Sequence, residues 1–518
     1  MVESPVRLCL LDEKLISLGR RQRVTLPGLF AAMTRGEEVS FPALRPHQRP
    51  AWHMFLVQLA ALALWSGGRC KAPEDEQDWR ELLRALTPDF PDDEPWCLVV
   101  ADRSKPAFLQ PPDPGGLKWS PVATPDALDM LITARNHDLK QQVMQAARPE
   151  DWLFALMSVQ TMEGYNGAGN HGIARMNGGS SSRVMLSLAP QPGRRLAPDP
   201  ASWWRRDLGI LLEHRSQGRE SGPCRPGGLA LLWTVPWPEG AQLDPQDLDP
   251  WFIEVCRRVR LTAGGGLQAE RTTSKAARVD AKAFKGALGD PWAPVDRTRG
   301  TSLTLSEGRF DYRRLHALLF SGDWQRPPCA EPRPDEGDSL LVAEAFSRGN
   351  SKTFGFQSRI VPVPGGVLRD FWGTPMRKLS EEQVEMIADC DRILRNALEL
   401  MAANGVRENV KKEHYAHTCP ACAAFDRQAD ALFFPALWEA VAASREGSAA
   451  LEAAQARFKA QLRETAIAEF EAALPAIPCA AIFRPRAEAR ARRTLFGGLR
   501  KAGFAATEHA EQEEAAHV

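Results

Sequence analysis

Four amphipathic helical segments follow one another in the last third of the chain, and this pattern constrains the fold more than any other feature of the 518 residues. The first segment opens at Ser380 and Gln383, which we interpret as a capping box, and it ends at Gly405. Each segment has one apolar face that must be buried, because its apolar residues recur at helical spacing. We therefore predict a four-helix bundle over residues 373–505.

The preceding part of the chain mixes short strand-like runs with helical ones. Residues 51–65 predict a buried helix, because they are nearly all apolar, and residues 339–363 predict a β-hairpin. Strands and helices do not alternate regularly, which favours an α+β fold over a doubly wound sheet. The predicted organisation is α+β, with a mixed domain over 1–372, the bundle over 373–505 and an acidic disordered tail over 506–518.

Charge and composition argue against a strongly basic nucleic-acid-binding protein, a membrane-spanning protein and a secreted protein. The chain has 65 Lys and Arg against 65 Asp and Glu, so a nucleic-acid partner would have to be bound by local basic patches. The most apolar stretch, residues 52–65, is interrupted by His53 and Gln58 and is too short to cross a bilayer. The N-terminus lacks the pattern of a signal peptide. We expect a cytoplasmic protein with reduced cysteines and no membrane contact.

One stretch looks like a ligand-binding loop: residues 164–183, GYNGAGNHGIARMNGGSSSR. Six of its residues are glycine, three are asparagine, two are arginine and none is acidic. Glycine lets a backbone approach a ligand closely, and the charge balance suits an anion. A flexible surface loop without a ligand is the alternative, because clusters of Gly, Ser and Asn mark loops in general.

Other segments carry donors that suit phosphates. Arg135, Asn136 and Lys140 lie in one polar loop, and residues 256–300 are irregular and basic. The hairpin predicts a small basic tip that would fit a groove, and the last helical segment is rich in arginine. The alternatives are a solvated turn, a solvated basic face and an ordinary hairpin turn.

One cluster combines residue types that zinc prefers: His414, His417, Cys419 and Cys422. Its spacing is too compressed to close easily as a tetrahedron, and incidental thiols in a connecting loop are the alternative. The chain shows no other catalytic motif, so we predict no catalytic residues, no bound metal and no cofactor. A stand-alone metal-dependent enzyme using these four residues is the alternative function.

Four motifs, in this order, resemble the large subunit of the type I-E CRISPR Cascade complex, the CasA family. They are TARNHDLK at 133–140, GYNGAGNHGIARMNGG at 164–179, AKAFKGALGDPW at 281–292 and RGNSKTFGFQSRIVPVP at 348–364. The resemblance implies a non-catalytic subunit of a crRNA-guided complex. Such a subunit would recognise the protospacer-adjacent motif in double-stranded DNA through the minor groove, begin strand separation and help to recruit a helicase-nuclease.

The resemblance also implies roles for individual residues. The motif-reading set is Gly167, Gly169, Asn170, Gly172, Lys282 and Lys285. The wedge below the motif is Gly349, Asn350, Ser351 and Lys352, and the contacts to the crRNA 5′ handle are Arg135, Asn136 and His137. The DNA backbone contacts are Arg175, Arg183, Arg486, Arg490, Arg493, Arg500 and Lys501. Some relatives bear paired zinc-binding cysteines near the loop and the basic segment, whereas this chain has only Cys256 there and AGGG at 263–266 replaces the pair, so we predict no zinc in the N-terminal domain.

Overall fold

The computed structural model describes residues 7–129, 144, 146–264, 266–349, 352–368 and 373–504. It divides into two compact units. The first comprises residues 1–310 and 323–362, and the second comprises residues 311–322 and 363–518. The predicted crRNA-contacting residues 135–137, Lys140, Asn350, Ser351 and the predicted tail 506–518 lie outside the described residues.

Unit 1 contains short strands and mostly short helices. Its helices are α1 (Leu26–Arg35), α2 (Arg49–Ser66), α3 (Glu76–Arg84), α4 (Pro125–Leu128), α5 (Pro149–Met162) and α6 (Pro200–Ser216). Its strands up to residue 272 are β1 (Ile16–Leu18), β2 (Gln22–Val24), β3 (Ser120–Val122), β4 (Met185–Pro190), β5 (Leu229–Leu231), β6 (Leu248–Ile253), β7 (Arg258–Ala263) and β8 (Leu267–Thr272). The later strands are β9 (Val295–Asp296), β10 (Thr301–Ser302), β11 (Trp324–Gln325), β12 (Ser339–Gly349) and β13 (Lys352–Val363).

Helix α2 lies at the centre of unit 1, as its composition predicts. It packs against α5 and α6, and its side chains from Pro50 to Leu64 are buried. Trp52 contacts Phe154 of α5 edge to face, with the ring centroids 5.2 Å apart. A helix that is apolar on all sides is stable in water only when other elements surround it, so α2 organises the core.

The predicted hairpin is confirmed as the strands β12 and β13. They form a three-stranded sheet in the order β13-β12-β4. Strand β4 pairs antiparallel with β12 in a register that places Ser339 opposite Pro190 and Glu344 opposite Met185. Strand β4 also follows the glycine-rich stretch directly, so this sheet connects that stretch to the hairpin.

Unit 2 is helical and contains α7 (Tyr312–Leu319), α8 (Gly365–Leu368), α9 (Thr374–Ala402), α10 (Tyr415–Glu446), α11 (Ser448–Ala473) and α12 (Arg484–Lys501). Helix α9 packs against each of the other three long helices. Gly405, with φ +75°, allows the chain leaving α9 to approach α12, where a Cβ would lie 2.8 Å from Ala487 Cα. The α+β fold with a helical C-terminal part is therefore confirmed.

The capping box at Ser380 and Gln383 is wrong. Helix α9 begins earlier, at Thr374, and both residues are buried inside it. Ser380 Oγ donates to the carbonyl of Arg377 at 2.8 Å instead of capping the helix. Unit 2 also includes α7, from a stretch that the sequence analysis assigned to 1–372. Its N-cap Asp311 accepts from Arg314 N at 2.9 Å, and Tyr312 N donates to Asp430 of α10 at 2.7 Å.

Candidate nucleic-acid interface

The glycine-rich stretch 164–183 forms a loop whose two ends are joined by backbone hydrogen bonds. Gly164 N donates to Ser181 O at 2.9 Å, and Tyr165 N donates to Gly179 O at 2.7 Å. The chain enters this loop from α5 and leaves it into β4. Both ends are therefore anchored in unit 1, as the sequence predicts.

Close packing requires glycine at positions 172 and 169 of the loop, among others. At Gly172 a Cβ would lie 2.8 Å from the backbone of Gly164 and Tyr165. Gly169 has φ +75°, a Cβ there would lie 2.5 Å from Thr273 Cβ, and its carbonyl accepts from Ser274 N at 3.0 Å. Gly167 is different, because its φ is +88° but a Cβ there would meet open space.

Glu163, directly before the loop, is buried and bound by two arginines. Arg257 Nη2 lies 3.0 Å from Glu163 Oε2, and Arg348 Nη2 lies 3.3 Å from Glu163 Oε1. Arg257 also donates to the carbonyl of Gly164 at 2.7 Å. The carboxylate therefore holds the loop, the start of β7 and the hairpin strand β12 together.

A second buried carboxylate supports the middle of the loop. Glu254 Oε1 accepts from Ala174 N at 2.6 Å. Burial raises the pKa of Glu254 to about 7, although its hydrogen bond to Ala174 and the charges of Arg175 and Arg183 act in the opposite direction. The loop thus rests on a carboxyl group that changes charge near neutral pH.

The loop forms one wall of an open groove of about 730 Å³. Tyr165, Gly172 and Asn177 line it from the loop side, and Lys282 and Lys285 line it from the basic segment. Both lysines are exposed, and neither ammonium group has a partner among the residues that the structure describes. The groove therefore offers two free cations beside a glycine-rich backbone.

Close backbone packing holds the basic segment against the loop. Gly286 has φ +80°, and a Cβ there would lie 2.6 Å from the carbonyl carbon of Met176. Ser302 N donates to Lys285 O at 3.1 Å, and Ser302 Oγ donates to Arg175 O at 3.3 Å. These contacts fix the backbone at Lys285, and Lys285 N donates to Lys282 O at 3.3 Å, which connects the second lysine to it.

Three of the six residues predicted to read the DNA motif line this groove. Gly172, Lys282 and Lys285 line it, whereas Asn170 lines a neighbouring cavity of about 170 Å³ with Glu163 and Arg271. Gly167 and Gly169 line neither space.

The hairpin strand β12, which leads to the predicted wedge, is hydrogen-bonded to the loop. Phe346 N donates to Ser182 Oγ at 2.7 Å, Ser182 N donates to Phe346 O at 3.1 Å, and Arg348 Nε donates to Ser180 O. Gly349 ends β12 and Lys352 begins β13. Hairpin and loop are therefore adjacent in the fold.

No protein-family model matches the chain, and no curated protein matches its sequence. Solved structures do match. CasA (Cse1) of Thermus thermophilus aligns with a TM-score of 0.64 at 16% identity, over 96% of this chain and 100% of that one. This is the CasA fold. Cse1 of Acidimicrobium ferrooxidans has a TM-score of 0.63 at 18% identity, over 96% and 99% of the two chains. Thermobifida fusca Cse1 has 0.61 at 12% identity, over 97% and 99%.

Within this CasA fold, Arg175 and Arg183 are interior residues, so their assignment to the DNA backbone is wrong. They are 2% and 3% exposed. Arg183 makes two hydrogen bonds to Asp290, at 2.6 and 2.8 Å. The Arg175 guanidinium lies 3.8 Å from the Phe252 ring centroid and donates to two backbone carbonyls. Both are already bound by protein groups, so neither is free to contact a phosphate.

The basic residues of segment 256–300 fall into a buried group and an exposed group. Its buried arginines bind protein carbonyls or carboxylates; they are Arg257, Arg258, Arg260 and Arg278. Its exposed basic residues include Arg271, Lys275, Lys282 and Lys285. Only exposed side chains of the segment can contribute to a surface that follows phosphates.

The basic residues assigned on α12 are exposed. Arg490 donates to Gly405 O at 2.8 Å, and Arg486 lies over the Phe483 ring. Arg493, Arg500 and Lys501 have no side-chain partner within the described ranges. Helix α12 therefore presents three free cations to solvent.

The four candidate metal ligands do not form a cluster in the CasA fold. They lie along one continuous stretch into α10, where His417 and Cys419 are about 200° apart around the helix axis. Burial raises the pKa of Cys422 to about 12 beside Asp391 and Arg395. In the described part of the chain, the one compact group of three potential ligands is Cys9, Asp12 and Asp93. The alternative metal-dependent enzyme thus has no assembled site in these residues.

Two residues at the interface escaped the sequence analysis, Glu163 and Tyr165. Glu163 is the last acidic residue before Asp199, and this isolated negative charge is the sequence signal that it pairs with nearby arginines. Tyr165 is one of only three tyrosines in the chain. Separately, no helix in the described residues has the length and apolar character needed to cross a membrane.

Proposed function

We propose that this chain is the CasA-type large subunit of a type I-E CRISPR surveillance complex and recognises a protospacer-adjacent motif in double-stranded DNA. The observation that carries the proposal is the groove in which the glycine-rich loop faces Lys282 and Lys285, within a chain of CasA fold. We further propose that the subunit is not an enzyme, needs no cofactor and acts in the cytoplasm.

The chemistry of the groove suits the minor groove of DNA. Minor-groove edges present mostly hydrogen-bond acceptors, at purine N3 and pyrimidine O2. Lysine ammonium groups and backbone amides are donors, and glycines let a backbone lie close to the base edges. Because the minor groove of DNA presents similar groups at different base pairs, we expect permissive recognition in which several related motifs are accepted.

The hairpin is proposed to begin strand separation. Its tip, Gly349, Asn350, Ser351 and Lys352, would enter between base pairs below the motif. The sheet that joins the hairpin to the loop supports this role, because motif contact and wedge insertion would then share one rigid support. Opening the first base pairs costs a few kcal/mol, which new backbone contacts can offset.

The remaining partners are proposals of the same kind. Arg135, Asn136 and His137 would contact the crRNA 5′ handle, and the chain would assemble with other Cascade subunits and help to recruit a helicase-nuclease. The exposed basic residues of α12 would hold DNA without sequence preference; they are Arg486, Arg490, Arg493, Arg500 and Lys501.

A binding selection tests the proposal. The complex is assembled with this chain and a crRNA, and it selects from target duplexes randomised beside the target. We expect the wild type to enrich a motif and Lys282→Ala to lose the enrichment while the complex still assembles. Lys71→Ala, a change at an exposed lysine that does not line the groove, is the matched control. Absence of any motif in the wild-type selection would overturn the proposal.

A further inference from the structure

The side chain of Tyr165 stands in the groove with much of its surface open. It is 44% exposed, although it follows directly after the buried residues Glu163 and Gly164. A single exposed ring is ordinary on a protein surface, but this one lines a groove together with the exposed Lys282 and Lys285.

The backbone of Tyr165 is held in place even though its side chain is open. Its N–H donates to Gly179 O at 2.7 Å, and Gly172 packs against its nitrogen so closely that a Cβ would lie 2.8 Å away. The backbone at Tyr165 is therefore preorganised for binding. Less conformational freedom is lost when a ligand contacts such a residue than when it contacts a mobile loop.

The Tyr165 hydroxyl and ring have no partner in the described portion of the chain. The other two tyrosines differ. Tyr312 is buried against Phe433 with ring centroids 5.1 Å apart, and the ring of Tyr415, which is 50% exposed, lies 5.7 Å from the Arg395 guanidinium. Tyr165 is thus the tyrosine that lines the groove together with Lys282 and Lys285.

We propose that Tyr165 is a specificity-determining contact of the DNA motif, an inference that rests on the proposed function. Its ring packs against a deoxyribose that forms the wall of the minor groove. Its hydroxyl donates to adenine N3 or thymine O2 at an A·T pair, and the N2 amino group of guanine obstructs the same contact at a G·C pair, so the contact distinguishes A·T from G·C. The two lysines hold the phosphates or base edges from the facing wall.

The variants Tyr165→Phe and Tyr165→Ala separate the hydroxyl from the ring. Tyr165→Phe keeps the ring and loses the donor, so we expect discrimination between motif-bearing and motif-free duplex to fall about threefold with little change in overall affinity. Tyr165→Ala loses both contacts, and we expect about a tenfold loss of affinity for the motif-bearing duplex, typical of losing one good base contact. The Tyr165 side chain is exposed, so the thermal unfolding of both variants should match that of the wild type.

The experiment measures binding of the assembled complex to duplexes that carry or lack the selected motif. Tyr415→Ala is the matched control, because that tyrosine is exposed to a similar degree and does not line the groove. If the wild type discriminates and Tyr165→Ala binds and discriminates like Tyr415→Ala, the role of Tyr165 is overturned. If the wild type does not discriminate at all, the proposed function itself fails, so the two failures are distinguishable.

Discussion

Arg348 and Glu163 form a buried ion pair, with Arg348 Nη2 3.3 Å from Glu163 Oε1. Arg348 lies on the hairpin strand β12, and Glu163 directly precedes the glycine-rich loop. A single carboxylate, shared with Arg257, therefore links the two elements to which the proposed motif reading and strand separation belong.

Glu163→Gln should be strongly destabilising. It removes the charge that compensates Arg257 and Arg348, and breaking a buried pair from one side costs about 3–5 kcal/mol. Chemical denaturation of the purified chain measures this loss. The control is Glu37→Gln, because Glu37 pairs with Arg35 at the surface, where such a pair contributes about 0–1 kcal/mol. Equal effects of the two changes would show that Glu163 does not organise the loop.

Alanine at two glycines should have different effects. Gly172→Ala introduces a Cβ 2.8 Å from the backbone of Gly164 and Tyr165, so we expect a loss of both stability and motif binding. Gly167→Ala meets open space, and its cost is the left-handed φ of +88°, about 1–2 kcal/mol. Gly116→Ala, with φ +74° and open space, is the control for that strain. The prediction is wrong if Gly172→Ala is no more destabilising than Gly116→Ala.

Glu254 should make stability depend on pH. Burial raises its pKa in the folded protein from 4.5 to about 7, so the folded state holds a proton that the unfolded state has already released. Stability from this group is therefore present below pH 4.5 and is lost as the pH rises to about 7. Glu254→Gln has no such dependence. We expect its stability relative to the wild type to rise between pH 4.5 and 8 by up to about 3 kcal/mol, as measured by urea denaturation at several pH values. A difference that stays constant with pH would contradict this.

Replacing Arg493, Arg500 and Lys501 together by alanine should weaken DNA binding by a similar factor for every sequence. These side chains are exposed and have no partner in the described residues, so each is free to bind a phosphate. Loss of three such contacts should reduce the slope of log affinity against log salt by about 2–3. Arg457→Ala is the control, because Arg457 is already paired with Glu439. If the slope of log affinity against log salt were unchanged, α12 would not be part of the DNA-binding surface.

Local pattern was sufficient for the helices and the hairpin, but not for their ends. Helical spacing predicted the long helices, and the hairpin was predicted from two apolar runs around a polar tip. The start of α9 was misplaced because Ser380 and Gln383 match a capping box, whereas the helix begins at Thr374 after an extended Gly373. Packing of the earlier turn, which includes the buried Met376, decides that end, and a local motif does not report it.

The candidate site could be predicted only in part, because local sequence does not report how distant segments pack. The sequence indicated the glycine-rich loop and Lys282, and the structure places both at one groove. It did not indicate which arginines face solvent, and Arg175 and Arg183 proved to be buried. The sequence does not show whether a charged side chain points to solvent or into the core. A basic segment therefore looks like a phosphate-binding surface in either case.

The sequence by itself determined the α+β class, the helical C-terminal part and the segments that carry the candidate chemistry, because helical and strand periodicity and glycine content act over a few neighbouring residues. Only the tertiary structure decided which of these residues meet. Arg183 and Asp290 lie 107 positions apart and Arg348 and Glu163 lie 185 apart, yet each pair is in contact. Burial of an ion pair depends on how distant segments pack, and no local pattern contains that information.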